Sequence, residues 1–248
     1  MQNYKMMIAY DGRKYKGFRR TKKDGEKSIQ FKLERILFKL YDETIEIVSA
    51  VSTDAGVHAT GQIVNFKVPK DKFTRERILD YLEEYLPDDI IVINIEEADE
   101  RFHSRYNITS LVYEYRLWKK DAPRRPLFDR QFVNVMDQFL DVKDMKACAK
   151  VLEGEHNFSA FSTNSKSNAS VRDVYSIDIE ETPEEIIIKI EASGFLLSME
   201  RIIVGTLIQI GTGQKDMDTV EDAFYTLNSR NVGHKARAGA LCLVGVNF

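Results

Sequence analysis

The order of strand-type and helix-type patterns constrains the fold of this 248-residue chain most, because the same order occurs twice. In each half, short β-branched runs with a two-residue period alternate with longer segments whose apolar residues recur every three or four positions. The first pattern is typical of half-buried strands and the second of amphipathic helices. Both halves contain the order βαββαβ, with a second helix before the last strand of the second half, so we predict two diverged copies of one split βαβ layout.

In the first half, the predicted strands are residues 4–10, 45–51, 63–68 and 90–95. Ser28 and Thr74 are predicted to cap the two helices, since Ser and Thr hydroxyls accept hydrogen bonds from free N–H groups of a first turn. The buried face of the first helix should carry Ile29, Leu33, Ile36, Leu37 and Leu40, and that of the second Ile78, Leu82 and Tyr85.

In the second half, the predicted strands are residues 110–118, 171–179, 186–190 and 241–246, and the predicted helices are 142–152, 195–210 and 218–227. Residues 162–170 are polar and predict an irregular segment. We therefore predict an α+β fold with two ferredoxin-like halves, residues 1–105 and 106–248. The halves should form a mostly antiparallel sheet with a central cleft and with helices on the outer face.

The composition excludes several classes of protein. The chain is 43% hydrophobic and 30% charged with a formal net charge of -3, which is typical of a water-soluble globular protein. No apolar run approaches the roughly 20 residues that cross a bilayer, and the N-terminal residues do not resemble a signal peptide, so a cytoplasmic location is predicted. Cys148 and Cys242 have no spacing typical of a disulfide framework or a metal site.

A short turn with one carboxylate, Asp54, lies between the second and third predicted strands. An isolated Asp in such a turn most often bonds its own backbone. Residues 53–59, however, read Thr-Asp-Ala-Gly-Val-His-Ala, and Gln62 follows closely. This segment resembles the signature of the tRNA pseudouridine synthase A family, in which the Asp is the essential residue of uridine isomerisation.

The loop between residues 11 and 28 carries eight basic and three acidic residues in a chain whose total charge is negative. Such a local excess of positive charge indicates a surface that binds phosphates. The alternative interpretation is a solvated, mobile loop. Tyr15 and Phe18 lie among the charges, and we interpret them as stacking surfaces for RNA. The loop also resembles the first sequence block of the family. The predicted RNA-binding residues are Lys16, Arg19, Arg20, Lys22, Lys23 and, from a later block, Arg105.

Arg201 lies in the predicted helix 195–210, which has almost no polar face. A guanidinium in such a helix needs a carboxylate partner, and Glu200 points about 100° away around the helix. Asp54 is the better candidate. The segment from Gly194 to Leu207 resembles the family block whose Arg pairs with the catalytic Asp; a structural ion pair with another acid is the alternative.

Tyr113 matches, by resemblance, the family tyrosine that stacks on the target uracil and assists proton transfer at C5. A tyrosine on a predicted strand is otherwise most often a packing residue. The resemblance implies catalytic roles for Asp54, Arg201 and Tyr113, no cofactor and no metal, and a homodimer that acts on the anticodon stem-loop of tRNA. Substrate-binding roles are assigned to Tyr113, Ser52, Thr53, Gly56 and His58.

Ser52 stands where the family has an Arg that is thought to fill the space vacated by the flipped uridine. Serine is too short for that role. Three interpretations follow: Arg19, Arg20 or another side chain substitutes for the family Arg, the substrate uridine is already unstacked, or catalysis has been lost. We rank retained catalysis first. The alternatives are a catalytically impaired or retargeted paralogue that binds RNA, such as an RNA chaperone, and a small-molecule-binding protein on the same layout.

Overall fold

The structure, a computed structural model, describes residues 1–23, 25–164 and 169–248. Asp24 of the basic loop and residues 165–168 of the predicted polar segment therefore lie outside the described residues. The chain divides into two compact units. Unit 1 comprises Met1–Thr109 with Cys242–Phe248, and unit 2 comprises Ser110–Leu241.

The described residues form ten strands and five α-helices. The strands are β1 (Gln2–Tyr10), β2 (Val48–Ser49), β3 (His58–Val68), β4 (Ile90–Ala98), β5 (Ser110–Trp118), β6 (Asn134–Val135), β7 (Gly154–Asn157), β8 (Val171–Glu181), β9 (Glu185–Ala192) and β10 (Leu241–Asn247). The helices are α1 (Ile29–Tyr41), α2 (Arg75–Tyr85), α3 (Val142–Leu152), α4 (Met199–Gly211) and α5 (Met217–Thr226).

In unit 1, the strand order β4-β1-β3-β2 is antiparallel throughout and is the order of a split βαβ fold. The edge of β3 is shared by two strands: β2 pairs near Asn65, and β10 pairs in parallel with His58 and Ala59. The caps Ser28 and Thr74 are as predicted, since each side chain accepts a bond from the backbone N–H three residues later. Fully buried side chains of α1, α2 and β1 form the core: Leu33, Leu37, Ile78, Leu82, Met6 and Ile8.

In unit 2, the antiparallel order is β5-β9-β8-β7, and β6 pairs in parallel with the end of β5. Helix α3 begins after its predicted cap, Asp141, and packs on α4 and β8. Phe158, Phe161 and Phe224 form an aromatic cluster in which each pair of ring centroids is 5.4–5.5 Å apart. The fold class is therefore α+β with mostly antiparallel strands, as predicted.

Several element boundaries differ from the prediction. The predicted strand 45–51 shrinks to Val48–Ser49, although Ile45 and Ile47 are buried. An alternating apolar pattern indicates which side chains are buried, but a strand also needs a neighbouring strand with which its backbone forms hydrogen bonds. Strand β3 begins at His58 rather than at residue 63 because β10 pairs with its first residues. The short strands β6 and β7 carry no alternating pattern and were not predicted.

The predicted helix 195–210 begins instead at Met199, because Ser198 adopts a left-handed conformation with φ of 64° that interrupts the helix. Tyr85 was predicted to be buried, but its side chain is exposed at the last residue of α2. The prediction assigned the last strand to the second half, whereas residues from Cys242 onward belong to unit 1. Within the described ranges, no helix combines the length and hydropathy needed to cross a bilayer.

Candidate active site

Asp54 opens a tight turn that connects the segment after β2 to the start of β3. The backbone N–H of Val57 donates to the carbonyl of Asp54 at 3.1 Å, which closes a four-residue turn. Gly56, the third residue of that turn, has φ of 80°, a value that suits glycine at this position of a type II turn. Asp54 itself is half-buried. The sequence Asp-Ala-Gly-Val therefore forms this turn for a local reason, and the turn presents one carboxylate.

Two buried polar side chains support the turn from the sheet. The Tyr10 hydroxyl lies 2.7 Å from the Thr53 hydroxyl, and Gln62 Nε2 donates to the carbonyl of Val51 at 2.9 Å. Burial raises the pKa of Tyr10 well above its usual range, although the hydrogen bonds to Thr53 and Gln62 act in the opposite direction. Tyr10 therefore stays protonated and able to donate. These contacts fix the residues on the N-terminal side of Asp54.

Two glycines of the basic loop pack directly against the same turn. A Cβ atom on Gly12 would lie 1.9 Å from the carbonyl oxygen of Val57, and one on Gly17 would lie 2.7 Å from that of Thr53. Gly17 also has φ of 102°, and the next residue, Phe18, donates its backbone N–H to the Thr53 carbonyl at 3.1 Å. The loop thus contacts the backbone on both sides of Asp54, at distances that only glycine permits.

His58, predicted to bind substrate, is the first residue of β3 and is buried. Its Nδ1 lies 3.2 Å from the backbone nitrogen of Gly12 and 3.2 Å from Oδ1 of Asp11. Burial of Asp11 raises its carboxyl pKa, but hydrogen bonds from Arg13 and the nearby His58 outweigh that effect and lower it overall. The structure therefore places His58 in a contact that ties the basic loop to β3.

The basic side chains of the basic loop are exposed, but its backbone is well anchored. Lys16 donates its backbone N–H to the Lys27 carbonyl at 2.8 Å, and Gln30 donates to the Phe18 carbonyl at 2.9 Å. Tyr15 and Phe18 are buried, so the interpretation of these rings as stacking surfaces was wrong. They pack inward and hold the loop. The predicted RNA-binding residues of the loop all remain exposed: Lys16, Arg19, Arg20, Lys22 and Lys23.

The other two predicted residues of unit 1 are also exposed. Ser52 immediately precedes the buried Thr53 in the segment that leads into the turn. Arg105 donates its backbone N–H to His103 Nδ1 at 3.2 Å, next to the fully buried Ser104. Arg105 therefore extends from a fixed segment and has an accessible side chain.

Unit 2 places Tyr113 in the middle of β5, opposite Ile190 of β9. The Tyr113 side chain is buried, and its ring meets that of Phe195 edge-on with the centroids 5.2 Å apart. Tyr115, two residues later on the same face, is also buried. Its burial raises its pKa well above the usual range, while the charges of Arg201 and Arg237 act to lower it.

Arg201 is the third residue of α4 and is half-buried. Its Nε donates to the carbonyl of Ala236 at 2.8 Å, and the Ala236 backbone N–H donates to the Arg201 carbonyl at 3.0 Å. One turn further, a Cβ atom on Gly205 would lie 1.7 Å from the carbonyl oxygen of His234. The segment around residues 234–236 therefore crosses α4 in close contact and fixes the start of the Arg201 side chain.

Sequence reasoning assigned no role to Tyr10, Gln62, Gly12 or Gly17, although all four support the Asp54 turn. Their signal was present in the blocks Tyr-Asp-Gly and Gly-Phe-Arg-Arg that resemble the family and in the Gln that follows the turn. Among the described residues, no three His, Cys, Asp or Glu side chains are grouped so that they could hold a metal ion.

The family model described as "tRNA pseudouridine synthase" matches residues 6–107 and 148–248. These ranges include Asp54 and Arg201, whereas Tyr113 lies between them. A solved structure, the archaeal box H/ACA sRNP Nop10-Cbf5 complex, matches with a TM-score of 0.36 and 10% identity over 95% of this chain and 58% of that chain. A likeness of that size supports no conclusion about fold or function.

Curated relatives match over the full length of both chains. The chain is 38% identical to "tRNA pseudouridine synthase A 2" of Bacillus cereus and 38% identical to "tRNA pseudouridine synthase A" of a Bacillus strain. It is 34% identical to "tRNA pseudouridine synthase A" of Acetivibrio thermocellus. In each case the match covers 100% of both chains. The chain therefore belongs to the tRNA pseudouridine synthase family.

Proposed function

We propose that this protein isomerises uridine to pseudouridine in tRNA and that Asp54 is the residue on which the reaction depends. The observation that carries the proposal is the Asp54 turn, in which contacts from β1, β3 and the basic loop hold the residues on both sides of Asp54, in a chain of this family. A position so closely packed by backbone is suited to present one reactive group repeatedly in the same geometry.

The reaction breaks the bond between N1 of uracil and C1′ of ribose and forms a bond from C5 to the same C1′. C5 loses a proton and N1 gains one, so the product is an isomer and no oxidant or reductant is consumed. In this scheme the carboxylate of Asp54 attacks or deprotonates the ribose while the base is detached. Only a reoriented base can then rejoin through C5.

For Arg201 and Tyr113 the proposal rests on the family resemblance. A guanidinium favours the ionised form of a nearby carboxylate, which is the role proposed for Arg201 toward Asp54. Tyr113 is proposed to hold the detached uracil and to assist removal of the C5 proton. The remaining proposed substrate contacts are Ser52, Thr53, Gly56 and His58.

The identity of the target uridine is a finer proposal. We infer that the target lies in the anticodon stem-loop, in or at the edge of the loop, because Ser52 is exposed and too short to fill the space that a flipped base leaves. Unstacking a nucleotide costs a few kcal/mol in a paired stem and least where it is already unpaired. A homodimer and a cytoplasmic location are likewise proposed from the family, and light scattering at micromolar concentration tests the former.

The central test is Asp54→Asn, which keeps the shape of the side chain but removes the charge. Because the amide is neither a nucleophile nor a base, we expect pseudouridine formation to fall by at least about 100- to 10,000-fold while tRNA binding persists. Mass spectrometry of digested tRNA measures the product, and a gel shift measures binding.

Asp42→Asn is the matched control. Asp42 is exposed at the end of α1 in a left-handed conformation that Asn tolerates, so this variant should react like the natural protein. Normal turnover by Asp54→Asn contradicts the assignment. If the natural protein bound tRNA but formed no pseudouridine, it would support the RNA-binding alternative, which the family membership does not favour.

A further inference from the structure

We propose that a basic pocket beside α1 binds the sugar–phosphate backbone of the substrate RNA at a point other than the reacting nucleotide. We call it the α1 pocket. It is a cavity of about 450 Å³ in unit 1 with the basic lining residues Lys14, Lys27, Lys32, Arg35 and Lys39 and one acidic lining residue, Glu26. This inference rests on the proposed function, since it takes RNA as the substrate.

The charge of the α1 pocket is largely uncompensated. Lys14 pairs with Asp89 at 3.0 Å. Among the residues that the structure describes, none of the other four cations lies within 4.0 Å of a carboxylate oxygen. The whole chain has a formal net charge of -3, so this local excess does not follow from the composition. Like charges that share a helix face repel one another, and a bound polyanion removes that repulsion.

The spacing of the cations suits a chain of phosphates rather than a single small anion. Lys32, Arg35 and Lys39 are separated by three and four positions on α1, so they lie along one face of the helix. Seven residues of α-helix extend about 10 Å along the axis. A row of three cations of that length can contact successive phosphates of one RNA strand, as Lys and Arg side chains commonly do.

The pocket also offers an apolar wall. Ile36 and Tyr15 are buried beneath it, while Tyr85 at the end of α2 and Pro87 stand at its rim. Tyr85 has 49% of its surface exposed although its helical position predicted burial. An exposed aromatic ring next to a row of cations provides the stacking surface that single-stranded nucleic acid uses. In this proposal, Tyr85 is exposed because its ring provides a stacking surface for the RNA.

The α1 pocket and the Asp54 turn share one loop. Tyr15 and Lys27 line the pocket, and the backbone N–H of the intervening Lys16 donates to the Lys27 carbonyl at 2.8 Å. Gly17, two residues after Tyr15, packs on the carbonyl of Thr53 next to Asp54. Two residues of chain extend at most about 7 Å. RNA bound in the pocket therefore contacts the same rigid loop that supports the catalytic turn.

A second pocket of unit 1 provides the contrast. It is lined by three basic and three acidic residues: Lys70, Lys72, Arg75, Asp71, Glu76 and Glu97. Its charges balance, so it has no electrostatic preference for a polyanion. It lies in the same unit and includes the first turn of the other amphipathic helix. This balanced pocket supplies a control in which an equal number of positive charges is removed.

The test compares two triple variants in full-length protein. The first is Lys32→Gln with Arg35→Gln and Lys39→Gln, and Gln keeps the helix propensity of the original residues. The control is Lys70→Gln with Lys72→Gln and Arg75→Gln, the three exposed basic residues that line the balanced pocket. Both variants are made in the natural protein and in the Asp54→Asn protein, and circular dichroism checks that each is folded.

The Kd for full-length tRNA is measured between about 50 and 200 mM salt. The α1 variant should bind about 10-fold more weakly or worse, and the slope of log Kd against log salt should fall by about 2 to 3, since each lost phosphate contact removes about 0.9. Its kcat/KM for tRNA should fall by the same factor as its affinity. The control variant should retain the natural slope.

Equal weakening in both variants, or natural affinity in the α1 variant, overturns the inference. Competition by inorganic phosphate that is lost in the α1 variant, with unchanged tRNA binding, would show a small-anion site and also overturn it. In the Asp54→Asn protein, the Kd for tRNA is measured without turnover. Pseudouridine formation is measured separately with the natural protein. Failure of the α1 pocket is therefore distinguishable from failure of the proposed function.

Discussion

The Asp54 turn and the region of Tyr113 and Arg201 are held in place in different ways. Asp54 lies in an irregular segment whose position depends on hydrogen bonds from β1 and β3 and on two glycines of the basic loop that approach too closely to admit a methyl group. Tyr113 and Arg201 instead lie in a regular strand and a regular helix, which their own hydrogen-bond ladders define. The position of Asp54 therefore depends on tertiary contacts alone, whereas tertiary contacts at Arg201, such as the approach of Gly205 to His234, act on a helix that is already regular.

The largest expected effect comes from Gly12→Ala, which inserts a methyl group 1.9 Å from the backbone oxygen of Val57. Because a backbone atom cannot rotate away, the loop or the turn must shift. We expect a loss of about 3 kcal/mol or more in the free energy of unfolding, together with loss of activity. Thermal unfolding should show a Tm lower by roughly 6 to 12 °C.

Gly213→Ala is the matched substitution in unit 2. It also places Ala at a glycine, here with φ of 69°, but no atom lies within 4 Å of the added Cβ. The cost should be only about 1 kcal/mol of backbone strain, and activity should be retained. If the two variants lost the same activity, the dependence of the Asp54 turn on close packing would be refuted.

A smaller effect is expected from Tyr10→Phe, which removes the hydroxyl that contacts Thr53 at 2.7 Å. Loss of one buried hydrogen bond should cost about 1 to 2 kcal/mol of stability. Because Tyr10 is buried and positions the segment before Asp54, kcat should fall more than KM rises. Steady-state kinetics on tRNA measures both. Tyr4→Phe on the same strand β1 is the control and should leave kcat unchanged; equal losses in the two variants would contradict a positioning role.

The smallest expected effect comes from Ser52→Arg, because Ser52 is an exposed residue of the otherwise packed segment. If the shortness of Ser52 restricts the enzyme to unstacked uridines, the added Arg should speed reaction on a uridine in a paired stem several-fold and change the rate on a looped uridine less. Flipping from a stem costs a few kcal/mol that a wedge can offset. Single-turnover rates on two matched stem-loops give the comparison. Equal rates on both RNAs in the natural protein, with no selective gain on adding Arg, would refute this reading.

The sequence predicted the regular elements well because their signals are local. The caps Ser28, Thr74 and Asp141 begin helices as predicted, and strand 110–118 has the predicted bounds. Apolar periodicity could not predict that Ile45 and Ile47 are buried without strand pairing, nor that Ser198 turns left-handed before α4. Both outcomes depend on neighbours that are remote in sequence.

In the candidate site, too, some features are determined by the local sequence and others by residues that are remote in sequence. The Asp54 turn follows from its own four residues, with Gly56 at the position that needs positive φ. The support from Gly12, Gly17 and Gln62 depends on contacts across the chain, so periodicity carried no signal for it. Tyr15 and Phe18 were misinterpreted for the same reason. Aromatic rings among charged residues can either stack on RNA or pack inward to hold the loop, and the contacts that decide between these roles are remote in sequence.

The parallel pairing of β10 with β3 means that the order of synthesis differs from the order of assembly. Strand β10 aligns Cys242 with His58, at the end of β3 that leads out of the Asp54 turn, and Gly61 approaches the Val244 backbone closely. Domains generally fold as units during synthesis, and the N-terminal domain folds first. Unit 1 cannot do so completely, because its parallel neighbour is translated only after all of unit 2. The start of β3, directly after the Asp54 turn, therefore gains its parallel neighbour only when translation has passed β10.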